Sequence, residues 1–537
     1  MNRRDFIRRT VPVSVLPFFI GGFTFRAYGR SALLDSLVRS GVETDRVLVL
    51  IQLNGGNDGL NTVIPLDQYT AIMNARPNIA ILENQVLPLV NNAGLHPAMA
   101  NMKTLFNEKK LCIVQGVGYP NPNLSHFRGT DIWLTASDAD QTLTSGWLGR
   151  YLDEEFPDYP NGYPNAVVPD PLAIQIGSVV SLGLQGPAVS MGMAITSPTS
   201  FYQLITGGVD TAPNTPAGHE LTFIRLVALQ TQQYATSIKA AAGNGNNLSP
   251  LYPTPGQNNL ADQLKIVAQL ISGGLKTRIY VVNIGGFDTH SDQIDQTSGT
   301  IVGDHADLLS KLSIAIHAFQ DDLRLLGVEQ RVIGMTFSEF GRRIKSNASF
   351  GTDHGTSAPL FVFGKNVRPQ IIGTNPVLPL NATQTDNLIM QFDFRSVYAS
   401  ILKDWFGVPQ AELQAVLLKN FATLPIIMKQ KSIKYPIVSG NEETTVAENV
   451  PVEPGLHQNY PNPFNPSTQI RFSSNGNPVQ IKVFDTLGRE VRILVDGTYP
   501  QGTHEVTFDA DNLPAGVYYY RFQSGEIQQI KSMTLVK

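Results

Sequence analysis

A single cysteine, Cys112, stands in 537 residues, so no intrachain disulfide is possible and a zinc–thiolate cluster is excluded. Charge is scarce as well: 16% of residues are Asp, Glu, Lys or Arg, and the formal net charge is −4. That leaves no basic footprint, and no nucleic acid is expected as a partner. Long apolar runs are few. The uncharged stretch Val11–Phe25 is shorter than the roughly 20 residues needed to span a bilayer. It follows Arg3-Arg4-Asp5-Phe6 and precedes the small residues Ala27 and Gly29, so residues 1–30 read as a twin-arginine-type signal peptide. An uncleaved N-terminal helix is the alternative. No other stretch is apolar enough to cross a membrane, so the mature protein is expected to lack a transmembrane anchor.

What is present suggests more than one domain: the length allows two or more, and 42% hydrophobic residues suffice for a sizeable core. From Arg46 to about Gly407, strand-like and helix-like segments alternate, which argues an α/β fold. Apolar runs from Val47, Leu111, Pro171, Ile279, Val332 and Leu360 read as strands. Helical periodicity marks His219–Ala242, Leu260–Ile271, Asp304–Leu326 and Phe394–Phe406. Residues Ala136–Pro169 and Gly243–Gln257, rich in Gly, Pro, Asn and Asp, read as insertions or surface loops. Composition breaks after Ile427. The segment 439–454 reads as a linker, and 456–537 as a small antiparallel β-sandwich of short strands separated by Gly, Pro and Asn turns. The main α/β domain is thus expected over 46–427.

Chemistry-bearing side chains follow the strand-like runs. VLVLIQL leads to Asn54–Gly59 with Asp58, and LCIVQGV to a loop ending at Ser125-His126. IYVVNI leads to Asp288-Thr289-His290, and VIGMTF to Ser338-Glu339-Phe340; Asp353-His354 lies just ahead of LFVF. In an open α/β sheet the carboxyl ends of parallel strands line one crevice, where ligands bind. Carboxylates and imidazoles gathered there suit divalent metals. Metal-dependent hydrolysis is the leading expectation.

Two resemblances sharpen it. His457-Gln458-Asn459-Tyr460-Pro461-Asn462-Pro463-Phe464-Asn465-Pro466, Asp485–Val491, Gly516-Val517-Tyr518-Tyr519-Tyr520 and the terminal Lys531–Lys537 resemble the type A C-terminal sorting domain of the type IX secretion system. That implies handling by the type IX machinery, passage of the inner and outer membranes, and a secreted or surface-attached product. Residues from about Arg46 to Gly407 resemble the domain-of-unknown-function family 1501, which is related to the alkaline phosphatase/sulfatase superfamily. The matching motifs are Gly55–Asn61, Leu95-His96-Pro97, Ser125–Arg128, Gly146–Arg150, Gly285–His290, Phe337–Arg342 and Thr352–Gly355. This implies an alkaline phosphatase-like sheet flanked by helices, two divalent ions (Zn, Mn, Ca or Mg), and an anionic phosphate or sulfate ester as substrate.

By that resemblance Asp58 corresponds to a ligand of the second metal, Asp288 and His290 to a pair on the first, and His354 to its late histidine. Glu339 stands where the superfamily carries an Asp-His pair, so one imidazole is missing and Asp353 or His126 is left to replace it. Ser125, at a helix start, is the candidate nucleophile, and Arg128, one turn on, the candidate partner of the anion. Plainer readings stand beside these. Asp58 serves as a turn residue, Ser125 as a helix cap, and Glu339 as an ion-pair partner of Arg342 and Arg343. His96 reads as structural, and His305 and His317 as packing or solvent residues. A catalytically silent cell-surface binding protein on the same fold is the alternative to an enzyme.

Overall fold

The computed structural model describes residues 45–156, 159–198 and 231–428 except 411, most of 455–535, and the short paired strands Phe18–Ile20 and Phe23–Phe25. The expected linker 439–454 and all else of the expected signal peptide lie outside the described residues, as does the first half of the expected helix His219–Ala242. Two compact units are distinguished: Thr44–Ile433 and a C-terminal one within Lys434–Lys537.

The larger unit is built on a nine-stranded mixed sheet. Its strands, with a hairpin at its edge, are β1 (Val47–Leu53), β2 (Leu111–Gly118), β3 (Ala173–Ile176), β4 (Met193–Ile195), β5 (Ile279–Ile284), β6 (Val332–Phe337), the hairpin β7 (Gly341–Ser346) and β8 (Thr352–Gly355), β9 (Ala358–Phe363) and β10 (Gln370–Ile372). The order across the sheet is β10-β2-β9-β6-β1-β5-β3-β4, and Phe392–Asp393 also pairs with β2. β1 lies at the centre because it is apolar on both faces: every residue from Val47 to Ile51 is buried, as a strand covered on two sides requires. Each such side chain contributes roughly 1.5–3 kcal/mol by leaving water.

β1 pairs in parallel with β5 and β6, and β9 runs antiparallel to both β6 and β2. β1, β2, β5 and β6 therefore end on one edge, and β9 begins there. Helices cover the faces. Among them are α1 (Ala100–Asn107), α2 (His126–Thr135), α3 (Trp147–Glu155), α4 (Asn259–Ser272), α5 (Asp304–Leu325) and α6 (Phe394–Ser400), the last running on into a π-helical turn, Ile401–Trp405. α5 buries Leu308, Leu309, Leu312, Ile316 and Phe319 as its periodicity predicts, with Asp304 and Asp307 in its first turn and Arg324 in its last.

One expectation fails here. Ala136–Pro169 is not simply a surface loop, because it contains α3, with Trp147 through Leu152 buried. Trp147 stacks on Tyr398 at 4.1 Å between ring centroids, and Gly149 lets the helix lie against the Gln185 carbonyl, 2.1 Å from where a Cβ would stand. Packing from distant residues overrides the loop-like composition around the helix.

In the smaller unit, one sheet is Gly455–Leu456, Ser467–Ser474 and Gly502–Asp509; the other is Glu490–Thr498, Pro478–Phe484, Gly516–Ser524 and Ile527–Leu535. All their pairings are antiparallel. Phe472 and Phe508 from the first and Ile481, Val483, Tyr520 and Phe522 from the second share one core, as two facing sheets require.

Candidate metal centre

At the shared strand edge four ionisable side chains, His126, His290, His354 and Arg342, each come within hydrogen-bonding reach of Asp288. Its Oδ1 lies 3.2 Å from His290 Nε2 and 3.2 Å from His354 Nε2; its Oδ2 lies 3.3 Å from His126 Nε2. The two Nε2 atoms of His290 and His354 are 2.9 Å apart. His126, Asp288 and His354 are spaced to hold a metal ion together. Arg342 completes the group, donating from Nη2 to Asp288 Oδ1 at 2.7 Å.

Each imidazole is held from behind through Nδ1. His354 donates to the Leu124 carbonyl at 2.8 Å, His290 faces Asp353 Oδ1 at 3.2 Å, and His126 faces Glu339 Oε1 at 3.0 Å. A carbonyl oxygen can only accept, so the His354 proton sits on Nδ1 and its Nε2 is a bare lone pair. Asp353 and Glu339 offer the Nδ1 atoms of His290 and His126 an acceptor each, and with the proton placed there each Nε2 is left with a lone pair. In that tautomer all three Nε2 lone pairs face a carboxylate that also can only accept. A cation resolves such a convergence of acceptors, and hydrogen-bonded imidazoles of this kind are the usual ligands of transition metals.

For His354, protonation is a poor substitute. Burial pulls His354 below the ordinary imidazole range, against the opposing pull of the Leu124 bond and Asp288. Burial alone would raise Asp288, but Arg342, His354 and His290 outweigh it and hold its carboxyl below the usual range. Asp353 is likewise held low: burial is outweighed by Asn347 and His290.

Close backbone packing sets these positions. Gly55 has φ +122°, and a Cβ there would stand 2.3 Å from the Asp288 nitrogen; at Gly351 one would stand 2.3 Å from the carbonyl carbon of His290. Phe340 packs against both His126 and His354, at 4.9 and 4.3 Å between ring centroids.

The structure does not bring every expected residue to this point. Asp58, 1% exposed, is engaged elsewhere: Arg76 Nη1 donates to both its oxygens at 2.7–2.9 Å and Gln293 Nε2 donates to Oδ2 at 2.7 Å. Burial would raise its pKa, but Arg76 and His305 together hold it low. Glu339 and Asp353 reach Asp288 only through His126 and His290. Glu339 Oε1 also accepts the Gly55 amide at 2.8 Å, and Arg342 pairs with Asp288 rather than with Glu339. Ser125 is exposed and is the N-cap residue of α2, but its hydroxyl makes no capping bond. Arg128 is engaged on one nitrogen: its Nη2 lies within hydrogen-bonding reach of the carbonyls of Asp138, Ala139 and Gln141 and of Ser137 Oγ, while its Nη1 is buried without a hydrogen-bond partner.

Sequence reasoning missed Arg76, Gln293, Asn347 and the fixing role of the Leu124 carbonyl. Gln293 links the buried Asp58 to the site, since its Oε1 accepts from Thr289 and Thr352, neighbours of Asp288, His290 and Asp353. His305, expected on a packing or solvent face, is buried and donates from Nε2 to Asn57 Oδ1 at 3.1 Å. Only the clustering of polar residues in Asn57–Thr62 and Thr289–Gln293 hinted at such a layer.

Residues 230–417 match the model of a protein family of unknown function (DUF1501), a narrower span than the motifs suggest, and residues 458–536 match that of the secretion system C-terminal sorting domain. The first match contains Asp288, His290, Glu339, Asp353 and His354; Asp58, Ser125 and His126 precede it. No curated protein matches. Among solved structures, the chain is similar to a protein in the alkaline phosphatase superfamily from Vibrio parahaemolyticus, at 9% identity over 99% of this chain and 91% of that one, with a TM-score of 0.31. It is also similar to a sulfatase from Pseudoalteromonas sp., at 9% identity over 88% and 85% with a TM-score of 0.34. An alkaline phosphatase from the Antarctic bacterium TAB5 gives 10% identity over 62% and 95% with a TM-score of 0.25. Likeness this distant leaves the centre to stand on its own geometry. The chain thus matches the DUF1501 model over residues 230–417 and the sorting-domain model over residues 458–536.

Proposed function

We propose that this protein is an exported, metal-dependent hydrolase of phosphate or sulfate esters, released or held at the cell surface after type IX secretion. The observation that carries the reading is the convergence of three imidazole Nε2 atoms on Asp288, each fixed through its Nδ1. The donor set fits a divalent metal, with His126, His290, His354 and Asp288 as the residues that would hold it. When bound, such an ion supplies Lewis acidity toward the anionic oxygens of an ester. The ester class rests on the resemblance of the motifs to the alkaline phosphatase/sulfatase superfamily. The sorting segment supports export. Among the described residues, no helix is long and apolar enough to cross a membrane.

The chain's own residues have separable tasks. Ser125 precedes His126 at the start of the ten-residue α2, so its uncommitted hydroxyl stands beside a metal-facing imidazole and the free N–H groups of a helix start. That placement suits a nucleophile near an anion-stabilising helix end. Arg342 holds Asp288 ionised and oriented. Phe340 shields one side of two imidazoles from water.

The test is turnover of a panel of aryl phosphates and aryl sulfates by metal-loaded protein, beside Ser125→Ala and His354→Ala. Ser125→Ala is expected to lose turnover with metal retained, and His354→Ala to lose both. A metal-loaded protein inactive on the whole panel would favour a catalytically silent binding protein. The commitment of Arg128 to the loop carbonyls of Asp138, Ala139 and Gln141 is the observation on that side.

A further inference from the structure

The strand edge carries two carboxylates that a pair of metals would need, Asp58 after β1 and Asp288 after β5, and only one is available. Both oxygens of Asp58 are taken by Arg76 and Gln293. Arg76 is itself anchored: Nε donates to the Ile344 carbonyl at 2.9 Å, Nη2 to that of Arg343 at 2.6 Å, and Nη1 to Asn61 Oδ1 at 3.3 Å. Both side chains are fully buried, at 0% and 1% exposure. A second metal on Asp58 would have to displace a guanidinium with no water to receive it, leaving a buried charge unpaired. Asp288 meets a different cation on one oxygen, Arg342, which also donates to the carbonyls of Gly55, Gly56, Phe287 and Thr352.

We propose that the centre is mononuclear: one ion of zinc type held by His126, His290, His354 and Asp288, with the guanidiniums of Arg76 and Arg342 supplying the positive charge a second ion would bring. This rests on the metal-dependent reading above and narrows it. Three nitrogen donors to one carboxylate select a borderline first-row ion over calcium or magnesium, which take oxygen ligands. His126 enters as a ligand because Glu339, instead of an imidazole, follows β6 and serves as its hydrogen-bond acceptor.

The experiment is a titration of metal-stripped full-length protein with zinc, cobalt(II), calcium and magnesium, read by elemental analysis after desalting and by the visible absorption of cobalt(II). One equivalent of zinc or cobalt per chain is expected, with visible bands whose intensity marks a low-coordinate nitrogen-rich site and with calcium and magnesium lost on desalting. His126→Ala should lower zinc affinity at least tenfold and change the cobalt spectrum. Asp58→Asn, if folded, should still bind one equivalent; the stoichiometry of the unsubstituted protein decides the matter if it does not fold. Two equivalents of zinc per chain would overturn the mononuclear assignment and leave the metal-dependent reading standing. Retention of calcium or magnesium instead of zinc would overturn the assignment of the donor set. No retained metal of any kind would overturn both readings together.

Discussion

Asp58 and Asp288 follow neighbouring parallel strands at the same edge of one sheet, and their surroundings diverge completely. The first is sealed beneath the surface against Arg76 and Gln293; the second is about half exposed, with a guanidinium on one oxygen and three imidazoles around it. Both carboxyls are kept ionised by an arginine. What separates them is the count of unspent lone pairs nearby. Both oxygens of Asp58 meet donors from Arg76 and Gln293, so the pair is a completed structural joint. Around Asp288, with the imidazole protons on Nδ1, acceptors outnumber donors, the arrangement that the proposed cation would complete. An acidic residue at a strand end is thus a ligand only when its neighbours leave it one to coordinate.

The sharpest way to break this contrast is to remove each carboxylate in turn. Asp58→Ala leaves Arg76 buried without a counter-charge, and its unfolding free energy in urea should fall by about 3–5 kcal/mol. The folded fraction should keep its metal. Asp288→Ala should instead abolish metal binding with a smaller stability loss, since Arg342 retains four carbonyl acceptors. A reversal of these two outcomes would mean that the roles have been assigned the wrong way round.

A gentler probe is Glu339→Gln, which preserves an acceptor for the Gly55 amide but weakens the grip on His126. Metal affinity should drop by about 10–100-fold, measured by competition with a chromogenic chelator. An unchanged affinity would remove His126 from the ligand set.

The smallest effect concerns the layer under Asp58. Burial, against a pull from Asp58, lowers His305 to about 4; burial, with His305 adding to it, lowers His96 to about 3. Both are neutral in the fold and take up protons when it opens. Their contribution is complete above the unfolded value near 6.5 and is lost as the pH falls from there towards 4. Melting temperature should therefore decline across that window. His305→Gln, which keeps a donor for Asn57 Oδ1, should flatten the decline, and an equally steep profile would exclude His305 as its source.

The strand edge was legible in the sequence because continuous apolar runs announce buried strands and polar residues flank them. Asp58, Asp288 and Glu339 follow their runs closely, His126 comes after a loop, and His354 stands ahead of the next run. Asp288, His290 and His354 could be named on that basis, and His126 with them. The fate of Asp58 could not be read, because its partner Arg76 follows a short helix, Tyr69–Ala75, and Gln293 sits in a loop; neither has a periodic signal that points at a target. Arg128 misled for a related reason. Its place one turn into α2 was correct, but side-chain direction depends on loop 137–141, which carries no pattern of its own. Likewise α3 was hidden in a stretch whose composition resembles a loop, since its burial comes from Tyr398 and Gln185, far away in sequence.

Two glycines carry a consequence out of proportion to their size. Gly55 and Gly351 contribute no side chain to the centre, yet the chain segments bearing Asp288 and His290 rest directly on their α-carbons. One methyl group at either place would wedge those segments outwards while leaving every coordinating atom chemically intact. On the proposed metal reading, a purely steric lesion at either glycine would empty the centre, and a chain with every candidate ligand in place would still hold nothing.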